Sequence, residues 1–308
     1  AAWLARTFPT MPGRWRVVRG LEQREHQVSA LPPQDVHVAG GLRMRVDPRD
    51  ENGRRVFVAG FDPRERLTRL FIDLLSPGDN VLDIGANAGY YTTVAAHLVG
   101  PSGQVHAFEA SPYVLPWLQN SVRLSGRRAA NIHVHGVAVT DRPGEVAFHA
   151  AMPEKTGFSS IRDLGRETAA TTIVPSTSID RMLDELPPIR LVKMDIEGAE
   201  LMALRGMTRL INRDHPWFIT EVDDQFLRSL GGSAAELFEF FISHRYEVAR
   251  VIEQGESEPL RKAPLDRCNL IASPGPLPLR TETESGRDAV DHQTSQMTPV
   301  LQRPGSVA

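Results

Sequence analysis

Residues 81–92 read VLDIGANAGYYT. An apolar run ends in Asp83, three spaced residues follow (Gly85, Asn87, Gly89), and then comes a run able to open a helix. That order spells a buried parallel strand, a tight turn and a helix N-terminus. Such a turn lets a ligand approach bare backbone N–H groups. Some twenty residues on, QVHAFEASP (104–112) repeats the pattern, and this second strand ends in Glu109. A carboxylate at that place can grip the two hydroxyls of a ribose. Turn and acid together predict a nucleoside ligand.

The turn narrows the choice. A dinucleotide fingerprint is G-x-G-x-x-G, its glycines set for a pyrophosphate. Here the pattern is Asp83-x-Gly85-x-x-x-Gly89, with Asn87 where a diphosphate would need room. This resembles a class I methyltransferase, whose ligand, S-adenosylmethionine, has an amino acid end, a ribose and an adenine but no phosphate. An NAD-dependent oxidoreductase is the first alternative, and the absent G-x-G-x-x-G speaks against it. A cofactor-binding module without catalysis is the second.

Further along, LVKMDIEGAEL (191–201) joins DIGANAGYYT and FEASP in the same order as the motifs of the FkbM family of methyltransferases. The resemblance covers about Arg43 to Ser273. Ala110 departs from it where the family often has Pro, and Phe61-Asp62 stands where a Tyr-Glu pair is frequent. The resemblance implies a seven-stranded Rossmann-like α/β sheet with helices on both faces. It also implies S-adenosylmethionine as cofactor and a polyketide, sugar or glycolipid as acceptor. The implied cofactor set starts with Glu109 on the ribose and Gly85 and Gly89 near the methionine part. Asp83 orients the turn or the ligand's ammonium. Asn87 and Tyr90 belong to the same turn, and Ala110, Ser111 and Ala138 flank the adenine. Asp195 completes the set.

Around this centre, strands and helices alternate, which argues a parallel sheet. LRMRVDP and RRVFVAG, separated by ENG within 41–60, predict a hairpin. PRERLTRLFIDLL (63–75) has Leu67, Leu70, Phe71, Leu74 and Leu75 on one helical face. Ser111-Pro112 should cap a helix that Pro116 bends. NIHVHGVAV (131–139) reads as one strand, and EVAFHA and TTIVPSTSI as extra strands. Ile179, Met182, Leu183 and Leu186 recur at helical spacing. Ser233-x-x-Glu236 is a capping box. YEVARVI and CNLIAS would close the sheet as an antiparallel pair. Three parts follow: an N-terminal extension (1–40), the methyltransferase-like unit (41–273) and a Pro/Gly/Ser-rich tail (274–308) expected to be disordered.

Lys193, Asp195 and Glu197 alternate with apolar residues, so period two puts three charges on one strand face. An edge strand with a wet face would look the same, but the helix that follows favours a central strand, which should be apolar throughout. The cluster is therefore the catalytic candidate. Asp195 or Glu197 would take a proton from an acceptor hydroxyl, and Lys193 would orient the acceptor or adjust its acidity. Glu221, Asp223 and Asp224 with Asp195 offer oxygens to magnesium, but acids after strands serve more commonly as caps, so no metal site is expected. His133, His135 and His149 lack the spacing of a zinc site, and His135 stays a reserve base. Ser159 and Ser160 in TGFSSIR belong to a loop that can line the acceptor pocket.

Composition sets the bounds. The 308 residues carry a formal charge of −3, which gives no case for nucleic acid as a partner. No run is long and apolar enough for a transmembrane helix. Cys268 is the single cysteine, so no internal disulfide forms, as fits the cytoplasm. Only Lys155, Lys193 and Lys262 are lysines among 35 basic residues, which makes a lysine inside an apolar strand conspicuous.

Overall fold

A computed structural model of the chain describes residues 28–38, 42–59, 65–126, 131–252, 257–264 and 266–276. Gln34–Val38 (β1) and Leu42–Val46 (β2) pair as an antiparallel hairpin. The expected hairpin partner, RRVFVAG, is instead part of a helix, Glu51–Ala59 (α1). The reason is a cap. Asp50 Oδ2 accepts from Gly53 N at 2.7 Å, and Arg54 N donates to Asp50 O at 2.8 Å. Side-chain capping of a free N–H there outweighs the β-propensity of Val56 and Val58. Since β1 lies before residue 41, the folded unit takes in part of the stretch read as an extension. The Phe61-Asp62 pair lies outside the described residues.

Glu65–Leu74 (α2) follows, its apolar stripe buried as predicted. Then come Asn80–Ile84 (β3), Tyr90–Val99 (α3), Gln104–Phe108 (β4), Leu115–Ser125 (α4) and Ile132–His135 (β5). Pro116 sits in the first turn of α4, where it removes no helical hydrogen bond, so the ground for the predicted bend does not hold. Ser111 lies one turn earlier, its carbonyl accepting from Leu115 N at 2.9 Å. The stretch read as one strand, 131–139, divides. After β5, residues Ala138–Val139 (β6) join a second sheet with Gly144–Ala151 (β7) and Thr168–Thr177 (β8), in the order β6-β8-β7. Between β7 and β8, Pro153–Phe158 forms a 3₁₀ segment. The helical spacing after Ile179 is realised as two short 3₁₀ turns, Ile179–Arg181 and Leu183–Glu185.

Leu191–Met194 (β9), Glu200–Arg205 (α5), Thr208–Asp214 (α6) and Trp217–Val222 (β10) complete the parallel part. Asp224–Ser229 (α7), Ala234–Ser243 (α8), Glu247–Val251 (β11), Ser257–Pro259 (β12) and Cys268–Ser273 (β13) end the fold. The capping box of α8 forms as read, with Glu236 N donating to Ser233 Oγ at 3.1 Å. The main sheet has eight strands rather than seven, in the order β12-β11-β13-β10-β9-β3-β4-β5. The additional strand, β12, is a short edge piece without the apolar pattern that announces a strand. β10 pairs with β13, and β13 with β11, in antiparallel fashion, as expected.

Period two accounts for the burial. Val81 and Leu191 face a core built with the β1–β2 hairpin, α2 and α3. Their neighbours Leu82 and Val192 face a second core built with α5, α6 and α8. With both faces covered, β9 is buried throughout and β3 from Val81 to Ile84. β9 is central, between β3 and β10, so the edge-strand reading of Lys193 is excluded. The chain runs outward from β3 through β4 and β5, then crosses back to β9 on the other side. Such a reversal opens a crevice at the carboxyl ends of the strands. The tail beyond residue 276 lies outside the described residues, and among those described no helix is long and apolar enough to cross a membrane.

Candidate active site

A cavity of about 350 Å³ occupies that crevice, walled by Ile84, Phe108, Asp195 and Glu221 from the ends of β3, β4, β9 and β10. Its floor is the turn after β3. Gly85 has φ +79°, and a Cβ there would lie 2.0 Å from Asp195 O, so only glycine lets the turn pass the end of β9. Asn87 takes a left-handed conformation, φ +50°, and its N–H donates to Glu109 Oε2 at 2.8 Å. Ser111 N–H donates to Glu109 Oε1 at 2.8 Å. Two turns thus fix one carboxylate at the cavity wall. Burial raises the Glu109 pKa, and those two N–H groups pull the other way.

Beneath the floor lies a buried charge pair. Asp83 and Lys193 are neighbours in the β3–β9 register. Lys193 Nζ donates to Gly85 O at 3.0 Å and lies 3.5 Å from Asp83 Oδ1 and 3.9 Å from Asp195 Oδ2. Asp83 is fully buried, its other oxygen accepting from Thr92 Oγ1 at 2.6 Å. The lysine therefore braces the turn and the end of β9 from inside.

β9 ends at Met194, so Glu197 is not on the same strand face as Lys193. It reaches the cavity from a turn, with φ +53°, a conformation that strains a residue bearing a Cβ. Ser160 Oγ donates to Glu197 O at 3.0 Å, and the buried Glu200 carboxylate accepts from Ile196 N and Gly198 N. Glu197 Oε1 accepts from Arg267 Nη2 at 3.0 Å, while Oε2 is buried with no hydrogen-bond partner among the described residues. Burial, and then Asp195, push the Glu197 pKa up to about 8, against the pull of Arg267. Burial also raises Glu200 to about 7.

The opposite wall is a roof of α1 and the 153–160 segment. Asp50 Oδ1 joins the two, accepting from Thr156 N at 2.9 Å and Thr156 Oγ1 at 2.8 Å. Glu51, Asn52, Arg55, Lys155 and Phe158 line this side with Ser159 and Ser160.

Residues 83–248 match the family model described as the methyltransferase FkbM domain. The chain belongs to the FkbM family of S-adenosylmethionine-dependent methyltransferases. This FkbM-family chain is 27% identical over 223 residues to the 31-O-demethyl-FK506 methyltransferase FkbM of Streptomyces tacrolimicus, covering 60% of itself and 77% of that protein. It is 25% identical over 145 residues to the hexuronic acid methyltransferase AglP of Haloferax volcanii, covering 46% of itself and 56% of that protein. Among solved structures, it is similar to a methyltransferase FkbM from Methylobacillus flagellatus KT, with a TM-score of 0.43 and 18% identity. That match covers 84% of this chain and 60% of the other.

Of the residues singled out in this FkbM-family sequence, Gly85, Asn87, Tyr90, Glu109, Ala110, Ala138, Lys193, Asp195 and Glu197 all line the one cavity. Asp83, Gly89 and Ser111 stand behind its wall. Asp83 carries the counter-charge for Lys193, Gly89 packs on Leu118, and Ser111 lends its N–H to Glu109. Asp223 caps α7, and Asp224 pairs with Arg228. Among the described residues, the acids close enough to share a cation are Asp195, Glu197 and Glu221, within 4.8 Å of one another. Arg267 already bonds two of them. His135 stacks on His106 and on the outer side of Phe108, behind the cavity wall that Phe108 forms, and does not itself line the cavity. Arg267 and the α1 side of the roof were missed by sequence reasoning. The DPRDEN stretch held a readable signal in its Asp50 cap; Arg267 held none, since its partners are remote in sequence.

Proposed function

We propose that this chain is an O-methyltransferase that moves a methyl group from S-adenosylmethionine to a hydroxyl of a small molecule such as a polyketide, sugar or glycolipid. The observation that carries the reading is Glu109, fixed by two backbone N–H groups beside a glycine turn that has Asn87 where the dinucleotide pattern has glycine. The residues fit the cofactor. Glu109 keeps lone pairs for the ribose hydroxyls, the bare backbone at Gly85 admits close approach, and Ala110 and Ala138 offer small apolar walls for the adenine. When bound, S-adenosylmethionine supplies a sulfonium methyl group as electrophile. The chain's task is to align an acceptor oxygen with it and to remove that oxygen's proton.

Asp195 and Glu197 are the carboxylates for that proton. Lys193 acts from below, holding the Gly85 carbonyl and the Asp195 side of the turn in place. The names of two relatives support an oxygen acceptor: one is a 31-O-demethyl-FK506 methyltransferase, the other a hexuronic acid methyltransferase. The reading takes the chain to be cytoplasmic, in keeping with its single cysteine.

Calorimetry with S-adenosylmethionine and with NAD, followed by turnover of deuteromethyl-labelled cofactor in a small-molecule extract, tests the reading. Binding of NAD alone would overturn it. With a labelled product in hand, Asp195→Asn or Glu197→Gln should cost about a hundredfold or more in turnover, the scale of a lost general base. Wild-type rates in both would move the base elsewhere.

A further inference from the structure

Arg267 precedes β13, and the antiparallel register sets Cys268 opposite Val222 and Asn269 opposite Glu221. The arginine therefore arrives beside the acids at the end of β10. Its Nε donates to Glu221 Oε1 at 2.9 Å and its Nη2 to Glu221 Oε2 at 2.6 Å. The same Nη2 reaches Glu197 Oε1 at 3.0 Å. The guanidinium also faces two rings, Phe158 of the roof at 5.2 Å and Phe226 of α7 at 5.4 Å. A planar fork can hold a carboxylate by both oxygens and still point a donor sideways; a lysine ammonium cannot.

The two candidate bases differ in how they are held. Asp195 is 25% exposed and leans toward Lys193. Glu197 is buried on a strained turn that other side chains brace: Ser160 from the roof segment and Glu200 from α5. Backbone strain that persists under such bracing is a mark of a working position. Arg267 fixes one of its carboxylate oxygens, while the other is buried without a hydrogen-bond partner among the described residues. A buried acceptor atom left so is costly until a donor meets it, and an acceptor hydroxyl is such a donor.

Resting on the methyltransferase reading, we propose that Arg267 is a positioning residue: by anchoring Oε1 of Glu197 to Glu221, it presents Glu197, rather than Asp195, as the carboxylate that takes the acceptor's proton. The O–H bond of the acceptor breaks as its oxygen forms the bond to the methyl carbon. The C–S bond breaks with its electron pair going to sulfur, and the proton ends on Glu197. Without Arg267, the Glu197 and Glu221 carboxylates lose the guanidinium that bonds them both, and Glu197 leaves its pose.

The test compares Arg267→Met, Arg267→Lys and Glu197→Gln, each alone, and the Arg267→Met/Glu197→Gln pair. Calorimetry reads S-adenosylmethionine affinity; S-adenosylhomocysteine formation in the small-molecule extract reads transfer. Cofactor affinity should stay within about threefold in the Arg267 variants, while kcat falls about tenfold or more in Arg267→Met, the scale of a displaced general base. Arg267→Lys should recover only part of the loss, and millimolar guanidinium should restore Arg267→Met where equal sodium chloride does not. The double variant should be no slower than Glu197→Gln. Independent, multiplying losses, or a loss that falls on cofactor affinity, would overturn the assignment. Should the wild-type chain bind cofactor yet transfer nothing, the transferase reading fails by itself. The anchoring is then decided by hydrogen exchange of the 195–199 turn in the cofactor complex. Arg267→Met should speed that exchange at least tenfold while sparing 83–92, and unchanged exchange would refute it.

Discussion

Replacing Lys193 by Met tests the internal brace. Methionine keeps most of the stem's volume, so packing changes little. What is lost is a charge. Lys193 Nζ is 3.5 Å from Asp83 Oδ1, which has no hydrogen-bond partner among the described residues, and Asp83 is wholly out of water. Breaking a buried pair by removing one partner costs about 3–5 kcal/mol, because the remaining charge is uncompensated. With a urea m-value of about 2–3 kcal/mol/M, the unfolding midpoint should drop by about 1–2 M. Adding Asp83→Asn to the Lys193→Met chain removes the stranded charge and should recover more than half of that loss. The coupling between the two substitutions, read from the four urea curves of a double-mutant cycle, should then be about 2 kcal/mol or more. A loss under about 1 kcal/mol in the single variant would refute the reasoning, as would additivity across the cycle.

Three further outcomes are expected. Glu109→Ala should weaken S-adenosylmethionine binding by about ten- to a hundredfold in calorimetry, the scale of lost charge-assisted hydrogen bonds; unchanged affinity in a folded variant removes Glu109 from the ribose. Chelation by EDTA should leave transfer intact, since Arg267 already brings positive charge to Glu197 and Glu221; loss with EDTA and recovery with magnesium would contradict this. The third concerns pH. Burial first, then His133 and His135, lower the His106 pKa to about 4. On acidification the unfolded chain binds this proton near pH 6.5 while the folded chain does not until about pH 4, so stability falls across that window. His106 should contribute about 2–3 kcal/mol of that fall, and His106→Phe should flatten it. Glu197 and Glu200, with raised pKa values, act in the opposite sense, losing stability as pH rises. The difference between variant and parent urea curves is therefore the readout, and identical slopes would count against the account.

The parts of the fold readable from sequence are those that local physics writes continuously. β3 and β9 are buried on both faces, so their apolar runs stand out, and the turn between β3 and α3 needs glycine where the chain passes the end of β9. α8 declares itself through Ser233 and Glu236. The failures share a cause: a local pattern was outvoted by one group or by distant pairing. RRVFVAG has strand propensity, yet a single Asp50 carboxylate starts a helix there. β12 has no apolar signature and exists because β11 offers an edge to pair with. NIHVHGVAV divides because β6 finds its partner in β8. In the site, the cluster was legible because Lys193 is a charge inside a buried strand, with Asp195 and Glu197 following directly after its end. Arg267 was not, because one more arginine in an arginine-rich chain carries no mark until the β10–β13 register brings it beside Glu221.

The walls of the cavity come from separate tracts of the chain. The surface proposed to grip the cofactor is encoded by 83–110, 137–139 and 191–199, whereas the roof is encoded by 44–56 and 153–161. The two roof tracts are stitched to each other by the Asp50 carboxylate. Apart from Ser160, which braces the Glu197 turn, and Phe158, which faces Arg267, roof residues can therefore change without touching the surface proposed to grip the methyl donor, and the Asp50–Thr156 stitch lets both tracts drift while staying joined. Such a layout gives lineages a cheap route to new acceptors: the chemistry is inherited intact while the roof is rewritten.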